Sequence, residues 1–173
     1  MILEVMGRDA GHIALNSGIA GGADVILIPE IDYSLLSIAK HIENLKSQGR
    51  NHSLIVVAEA VKKEDGKKAF VKYVDGEVRL GGIGTYIGDE IAKITKAETR
   101  VTVLGHVQRG AQPTHRDRLI ASAFGVKAVD LIANGKYNRV VVWQDRSVKD
   151  VSLDDIAGKS QTLSKTDPLI DVA

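Results

Sequence analysis

One stretch of the chain decides the fold, and it reads Arg100-Val-Thr-Val-Leu-Gly-His106-Val-Gln-Arg109-Gly110. Its apolar, β-branched first half is typical of a strand that is covered on both faces of a sheet. Ligands of open α/β sheets bind just outside the carboxyl ends of such strands. We therefore expect the stretch to deliver a histidine and two arginines to one region. Guanidinium groups in such a place favour a phosphorylated small molecule.

Two further strand ends indicate the same chemistry. Residues 2–6 form a short predicted strand, after which Gly7-Arg8 turns the chain into an apolar helix. Gly7 lacks a Cβ, so the backbone can approach a ligand closely, and we expect the unpaired N–H groups at the helix start to face the same anion. A third predicted strand ends in Glu59, whose carboxylate only accepts hydrogen bonds and suits sugar hydroxyls. Arginines and a carboxylate together indicate a sugar phosphate.

Strand and helix patterns alternate along the chain. Strands are predicted at 2–6, 24–28, 53–58, 100–104 and 139–143, and helices at 10–20, 34–48, 83–95 and 119–133. This order predicts an α/β fold, a mostly parallel sheet with helices on both faces. A small β-hairpin is expected at 70–80, because Asp75-Gly76 suits a type I′ turn. We expect the polar tail from Gly158 to be only loosely docked.

Composition excludes several classes of protein. The 23 basic and 22 acidic residues nearly cancel, which argues against a general nucleic-acid or membrane surface. The absence of cysteine excludes disulfides and thiolate metal sites and fits a reducing, cytoplasmic location. The histidines lack the i, i+4 pairing of a zinc site, and no glycine-rich loop is followed by Lys and Ser/Thr. We expect no metal site in this chain.

Two motifs resemble the carboxyl-terminal half of the 6-phosphofructokinase family of the bacterial type. The first is Met6-Gly7-Arg8, followed by a small-residue helix and Ile28-Pro29-Glu30. The second is Glu98-Thr-Arg100 leading to the Gly-His-x-Gln-Arg-Gly segment at 105–110, with Asp117-Arg118 shortly after. Each motif is moderately specific, and the combination at this separation is highly specific. The similarity runs from about residue 2 to about residue 152.

The resemblance implies a role for each matched residue. The implied substrate-binding residues are Met6, Gly7, Arg8, Glu59, Arg100, His106 and Arg109. Glu59 would hold the sugar hydroxyls of fructose 6-phosphate, and His106 and Arg109 would bind its 6-phosphate. Arg100 would reach the substrate of a neighbouring subunit, which implies a homo-oligomer. The family transfers a phosphoryl group from ATP or pyrophosphate, with Mg²⁺, to the sugar 1-hydroxyl in glycolysis.

The family's nucleotide loop and catalytic aspartate belong upstream of these motifs and have no counterpart in this chain. We therefore expect no catalytic residue here, no Mg²⁺ bound by this chain alone and no activity without the amino-terminal half of the protein. Residues 1–109 would be the fructose 6-phosphate lobe, 110–150 would pack on the nucleotide lobe, and 151–173 would be a tail. The helix at 119–133 would then expose an apolar interface prone to self-association. The alternative is a non-catalytic sugar-phosphate-binding or scaffold module.

Each residue also has a structural interpretation. Glu59 closes a buried strand, where Arg8 or a backbone amide would be the ordinary partner of its charge. Arg100 begins a strand and would ordinarily be a solvated surface charge. Arg50 is the one basic residue in Gln48-Gly-Arg50-Asn51, where regulated relatives carry several, which weakens the case for an ADP or phosphoenolpyruvate effector site.

Overall fold

The computed structural model describes residues 1–72, 74 and 76–173. The chain forms two compact units. The first unit comprises Met1–Arg109 with Gln161–Ala173, and the second unit comprises Gly110–Ser160. The functions that the sequence assigned to residues 1–109, 110–150 and 151–173 stay predictions.

The first unit contains the elements predicted from the alternating pattern. In chain order they are β1 (Ile2–Val5), α1 (His12–Gly21), β2 (Val25–Leu27), α2 (Leu35–Ser47), β3 (Ile55–Ala58), β4 (Phe70–Lys72), β5 (Val78–Leu80), α3 (Ile83–Thr95), β6 (Val101–Val103) and a 3₁₀ turn (Gly105–Arg109). The Ser34 hydroxyl caps the amino end of α2 by accepting the Ser37 N–H.

The sheet of the first unit is parallel throughout, with strand order β2-β3-β1-β6. Crossovers between parallel strands are right-handed, and the chain moves one way from β1 to β2 but the other way from β2 to β3 and from β3 to β6. Helix α1 therefore lies on one face, against β2 and β3, while α2 and α3 pack together on the other. The predicted parallel sheet with helices on both faces is confirmed.

The core lies between the sheet and these helices. All of β3 is buried, and Ile83, Ile87 and Ile91 line one side of α3 at the i, i+4, i+8 spacing of a helix face. These isoleucines are at most 2% exposed. Burial of this strip holds the amino end of α3 close to β1.

Strand β6 departs from the expectation. The sequence predicted a strand covered on both faces, but β6 is an edge strand that pairs only with β1 in the described part of the sheet. Thr102 and Val103 are exposed, Val103 by 54%. An apolar, β-branched sequence indicates a strand but does not determine its position in the sheet, so this expectation was wrong.

The predicted hairpin is present as β4 and β5, which pair antiparallel from Phe70 opposite Leu80 to Lys72 opposite Val78. The predicted Asp75-Gly76 turn includes Asp75, which lies outside the described residues.

The second unit is a helix packed on a hairpin. Its elements are α4 (His115–Ala133), β7 (Arg139–Gln144), β8 (Ser147–Ser152) and the short α5 (Leu153–Ile156). Helix α4 begins four residues before the predicted start, because Thr114 and Asp117 form a capping box. Its other face exposes Leu119, Val126 and Val129 by 65–68%.

The carboxyl-terminal segment is held more firmly than the sequence suggested. Leu163 is 6% exposed and packs into the core of the first unit. Its N–H donates to Glu30 Oε1 over 2.9 Å, and the same oxygen accepts the Gly11 N–H. The expectation of a loosely docked tail was therefore wrong at Leu163. Among the described residues, no helix combines the length and hydrophobicity needed to cross a membrane.

Candidate functional site

A cavity of about 700 Å³ opens at the carboxyl ends of β1, β3 and β6 in the first unit. Its walls include the hairpin strand β5 and the start of α3. The connections that leave β1 and β3 run in opposite directions along the sheet, so the cavity lies at a topological switch point. Five residues singled out from the sequence line it: Met6, Arg8, Glu59, His106 and Arg109.

Glu59 holds the turn that follows β1. Its Oε1 accepts the N–H groups of Gly7, over 3.1 Å, and of Arg8, over 2.8 Å. Arg8 has φ +50°, in the left-handed region that a residue with a side chain adopts at a cost. The carboxylate thus stabilises a strained backbone, as the structural interpretation of Glu59 predicted. Glu59 Oε2 has no hydrogen-bond partner among the residues that the structure describes.

The structure gives a different reason for a glycine at position 7 from the close approach of a ligand that the sequence suggested. A Cβ on Gly7 would collide with the Ala10 carbonyl oxygen, whose residue closes the turn by donating its N–H to the Gly7 carbonyl over 3.1 Å. The N–H groups of the turn before the helix are already engaged, while the expectation that the helix start faces an anion stays a prediction. Glu59 accepts those of Gly7 and Arg8, and Glu30 accepts that of Gly11, the residue before α1.

A second carboxylate, that of Glu4, lies in the cavity wall, and the sequence motifs did not predict it as a site residue. It is 2% exposed, and its two oxygens accept the N–H groups of Gly82, over 3.0 Å, and Gly84, over 2.8 Å. It therefore satisfies the amino end of α3 and places a negative charge at the positive end of the helix dipole. A glutamate within an apolar strand was the available signal.

The segment after β6 forms a 3₁₀ turn, in which side chains three residues apart lie on the same side. This geometry sets His106 and Arg109 together, and both line the cavity. Gly105 has φ +48° where the turn begins, so a glycine is favoured there. Gln108, which the sequence did not single out, accepts the Met6 N–H with its Oε1 over 2.8 Å.

Three of the four basic side chains that line the cavity are available to a ligand. Within the described residues, no hydrogen bond or ion pair engages the side chains of Arg8, His106 or Arg109. Arg79, from β5, also lines the cavity and pairs with Glu77 over 2.5 Å. Next to Arg8, the Lys68 ammonium lies 2.6 Å from Asp9 and holds the pKa of that carboxyl below its usual value.

Arg100 lies elsewhere. It precedes β6, and its carbonyl oxygen accepts the Ile2 N–H at the opposite end of the sheet from the cavity. Its side chain is 82% exposed and pairs with Glu98 over 2.7 Å. The expectation that the stretch 100–110 delivers both arginines to one region was therefore wrong, because the strand separates them by its full length.

The part of the chain that the structure describes offers no set of side chains that could enclose a metal ion. No cluster of three or more His, Asp or Glu side chains there could hold a metal ion. The described residues do not fit a resident Mg²⁺ site.

The family model and the similar curated proteins indicate the same family. The family model for phosphofructokinase matches residues 1–132. The chain is 52% identical to ATP-dependent 6-phosphofructokinase 1 of Nostoc sp. and 50% identical to that of Synechocystis sp., in both cases over 173 residues. Each alignment covers 100% of this chain and 48% of the relative. The chain thus spans about half the length of these curated relatives.

Solved structures share the fold. A pyrophosphate-dependent phosphofructokinase from Nitrosospira multiformis superimposes with a TM-score of 0.73 at 23% identity, over 95% of this chain and 41% of that one. Phosphofructokinase from Pichia pastoris in the T-state gives a TM-score of 0.69 at 28% identity, over 89% of this chain and 17% of that one. These structures show the fold, and the family model, which matches more than half of the chain, shows that the chain belongs to the phosphofructokinase family.

Proposed function

We propose that the cavity binds fructose 6-phosphate and that the chain is the carboxyl-terminal, sugar-phosphate-binding part of an ATP-dependent 6-phosphofructokinase of glycolysis. The observation that carries the proposal is the set of basic side chains, Arg8, His106 and Arg109, which line the cavity without a protein partner among the described residues. Cavities of this size, about 700 Å³, accommodate small metabolites. Arginine forks suit the planar, bidentate recognition of a phosphate.

In this proposal the two ends of the substrate meet different groups. The 6-phosphate contacts Arg109, His106 and Arg8, while the sugar hydroxyls donate to Glu59. The free Oε2 of Glu59 supports the second contact, since Oε1 is already bonded to the backbone. Met6 lines the wall beside the sugar, and Gly7 shapes the turn next to it.

The chain's residues contribute to phosphoryl transfer by binding and orientation. Contacts to the remote 6-phosphate hold the sugar so that its 1-hydroxyl faces the phosphoryl donor, and such positioning accelerates a bimolecular step. The names of the relatives support ATP as donor. Mg²⁺ in this enzyme class neutralises the charge of the donor's phosphates. The catalytic groups and the donor site lie in the other half of the enzyme, and this chain alone is inactive.

The apolar face of α4 supports a larger assembly. Leu119, Val126 and Val129 are each exposed by 65–68%, and apolar side chains grouped on one exposed face often mark a protein–protein interaction site. We infer that residues 110–150 pack on the amino-terminal half of the enzyme. In a non-catalytic scaffold module we would expect this face of α4 to be polar.

Arg100 is proposed to act in the oligomer. Its exposed side chain lies far from the cavity of its own subunit and is free to exchange Glu98 for the substrate phosphate of a neighbour. An exposed ion pair of this kind contributes little stability, so the exchange costs little. The protein is proposed to act in the cytoplasm as a homo-oligomer, without nucleic-acid or membrane partners.

Calorimetric titration of the 173-residue chain tests the proposal. We expect saturable binding of fructose 6-phosphate, weaker binding of inorganic phosphate and no detectable binding of fructose at the same concentrations. Equal heats from fructose and fructose 6-phosphate would show that the basic side chains do not bind the phosphate, and the proposed function would be wrong.

A further inference from the structure

The 3₁₀ turn Gly105–Arg109 presents two of the three unpartnered basic side chains, yet little holds it against the sheet. Val107 is 77% exposed, and His106 and Arg109 are also exposed. Gln108 is the half-buried side chain among them. Its Oε1 accepts the Met6 N–H over 2.8 Å, and within the described residues no other side chain of the turn makes a hydrogen bond or an ion pair.

The orientation of the Gln108 amide follows from its partner. A backbone N–H donates, so the side-chain oxygen and not the NH₂ group faces Met6. This bond spans 102 residues of sequence and joins the end of β1 to the turn after β6. Together with Glu59, it engages three consecutive backbone amides, those of Met6, Gly7 and Arg8. Both flanks of the cavity are therefore tied to each other through these amides.

A 3₁₀ turn has two degrees of freedom that matter here, its position and its rotation about its own axis. Residues 105 and 108 share one side of the turn, and residues 106 and 109 share another. Fixing Gln108 against Met6 therefore fixes the direction of His106 and Arg109. Without that bond, the turn would hold its position through backbone bonds at Leu104 and Val107 but would lose a side-chain restraint on rotation.

We propose that Gln108 is a positioning residue, whose side-chain oxygen holds His106 and Arg109 in the direction that binds the phosphate of the substrate. This inference rests on the proposed function for the identity of the ligand but not for the bond itself. Gln108 does not line the cavity, so it acts through its neighbours and not by contacting the ligand.

Two variants of nearly the same shape separate these roles. Gln108→Met keeps the length of the side chain but has no comparable acceptor, whereas Gln108→Glu keeps an oxygen for the Met6 N–H. In the ligand-free 173-residue chain, we expect hydrogen exchange at the Met6 amide to accelerate about tenfold in Gln108→Met and to stay close to the wild-type rate in Gln108→Glu. The His106 ring signals should shift only in Gln108→Met.

The same variants are then titrated with fructose 6-phosphate. Gln108→Met should weaken binding about tenfold, and Gln108→Glu should restore most of the affinity. The urea midpoint of Gln108→Met should stay close to that of the wild type. A global loss of stability would instead lower the midpoint and accelerate exchange at many amides, not at Met6 selectively. A conservative rescue of this kind would not follow from a side chain that merely fills space.

Three results would overturn the inference. Unchanged Met6 exchange in Gln108→Met would show that the bond does not restrain the turn, and unchanged affinity would show that the restraint does not matter. A loss of affinity in Gln108→Glu at least as large as that in Gln108→Met would also overturn the inference, because an acceptor for the Met6 N–H would then not restore binding. If the wild-type chain fails to bind fructose 6-phosphate, the proposed function fails, and the Met6 and His106 signals still decide whether Gln108 positions the turn.

Discussion

The acidic and the basic side chains of the cavity differ in what they already contact. Glu4 and Glu59 each accept two backbone N–H groups. Arg8, His106 and Arg109 have no hydrogen-bonding or ion-pair partner among the described residues. The carboxylates therefore build the cavity, while these three basic side chains are left for a ligand and a fourth, Arg79, is paired with Glu77. Charge alone would have paired these groups with one another.

This difference separates stability from binding. Loss of a carboxylate leaves buried amides without an acceptor, which costs free energy of unfolding. Loss of an exposed basic side chain costs little stability but removes a charged hydrogen bond to the ligand. Substitutions of Glu4, Arg109, Glu59 and Asp150 test that separation.

The largest effect is expected at Glu4. Replacing Glu4 by Ala should lower the free energy of unfolding by about 2–4 kcal/mol, because the N–H groups of Gly82 and Gly84 lose their acceptor. Glu4→Gln keeps one carbonyl oxygen and should cost less. Urea unfolding followed by circular dichroism measures both. A change below about 0.5 kcal/mol in Glu4→Ala would show that the carboxylate is not structural.

Arg109 should show the opposite behaviour. Arg109→Ala should raise the dissociation constant for fructose 6-phosphate about 10- to 100-fold, because charged hydrogen bonds to the phosphate are lost, with little change in unfolding. Arg116→Ala is the matched control, since its side chain is exposed on α4 and does not line the cavity. Calorimetry of the 173-residue chain measures both variants. Equal effects of the two substitutions would remove Arg109 from the site.

Glu59 lies between the two classes, because one oxygen serves the backbone and the other is free. Glu59→Gln keeps an acceptor for the Gly7 and Arg8 amides, so unfolding should change little. Affinity for fructose 6-phosphate should fall several-fold while that for inorganic phosphate should not, since only the hydroxyl contact weakens. Competition titrations compare the two ligands. A parallel loss for both would argue against the hydroxyl contact.

The second unit supplies the smallest effect and a contrast with the cavity. Lys127 and Arg139 lie within 3.1 Å of Asp150 and lower the pKa of that carboxyl. Because the folded pKa is below the unfolded one, the stabilisation is present above about pH 4 and is lost as pH falls through the folded pKa. Asp150→Asn should flatten this dependence. Thermal unfolding between about pH 6 and pH 2, followed by the fluorescence of Trp143, the single tryptophan, measures it.

An unchanged pH dependence in Asp150→Asn would show that other carboxylates dominate acid unfolding of this unit. Asp117 is the obvious candidate, because its bonds to Thr114 also lower its pKa. Asp117→Asn is therefore the companion variant.

The sequence predicted the elements well where local signals and burial agree. Helix α3 was predicted at 83–95 and spans Ile83–Thr95, since its isoleucine spacing reports a single buried face. Helix α4 was predicted late, although the Thr114-x-x-Asp117 spacing of a capping box was readable. The edge position of β6 was not readable, because pairing partners are set by the whole sheet.

The residues of the site also differ in whether the sequence predicted them. The sequence motifs identified Met6, Arg8, Glu59, His106 and Arg109, which line the cavity. The i, i+3 spacing of His106 and Arg109 suits the 3₁₀ turn that joins them. The partners of Glu4 lie about 80 positions away, and that of Gln108 lies 102 away. No local pattern reports such bonds. Sequence therefore indicated the cavity-lining groups better than the groups that hold them.

Arg8, His106 and Arg109, which have no partner among the described residues, should bind the 6-phosphate of the substrate. Their side-chain NMR signals, followed while fructose 6-phosphate is added to the 173-residue chain, test this directly. We expect these signals to shift saturably together and fructose to leave them unmoved. If fructose 6-phosphate shifts other residues while these signals stay in place, the cavity is not the sugar-phosphate site.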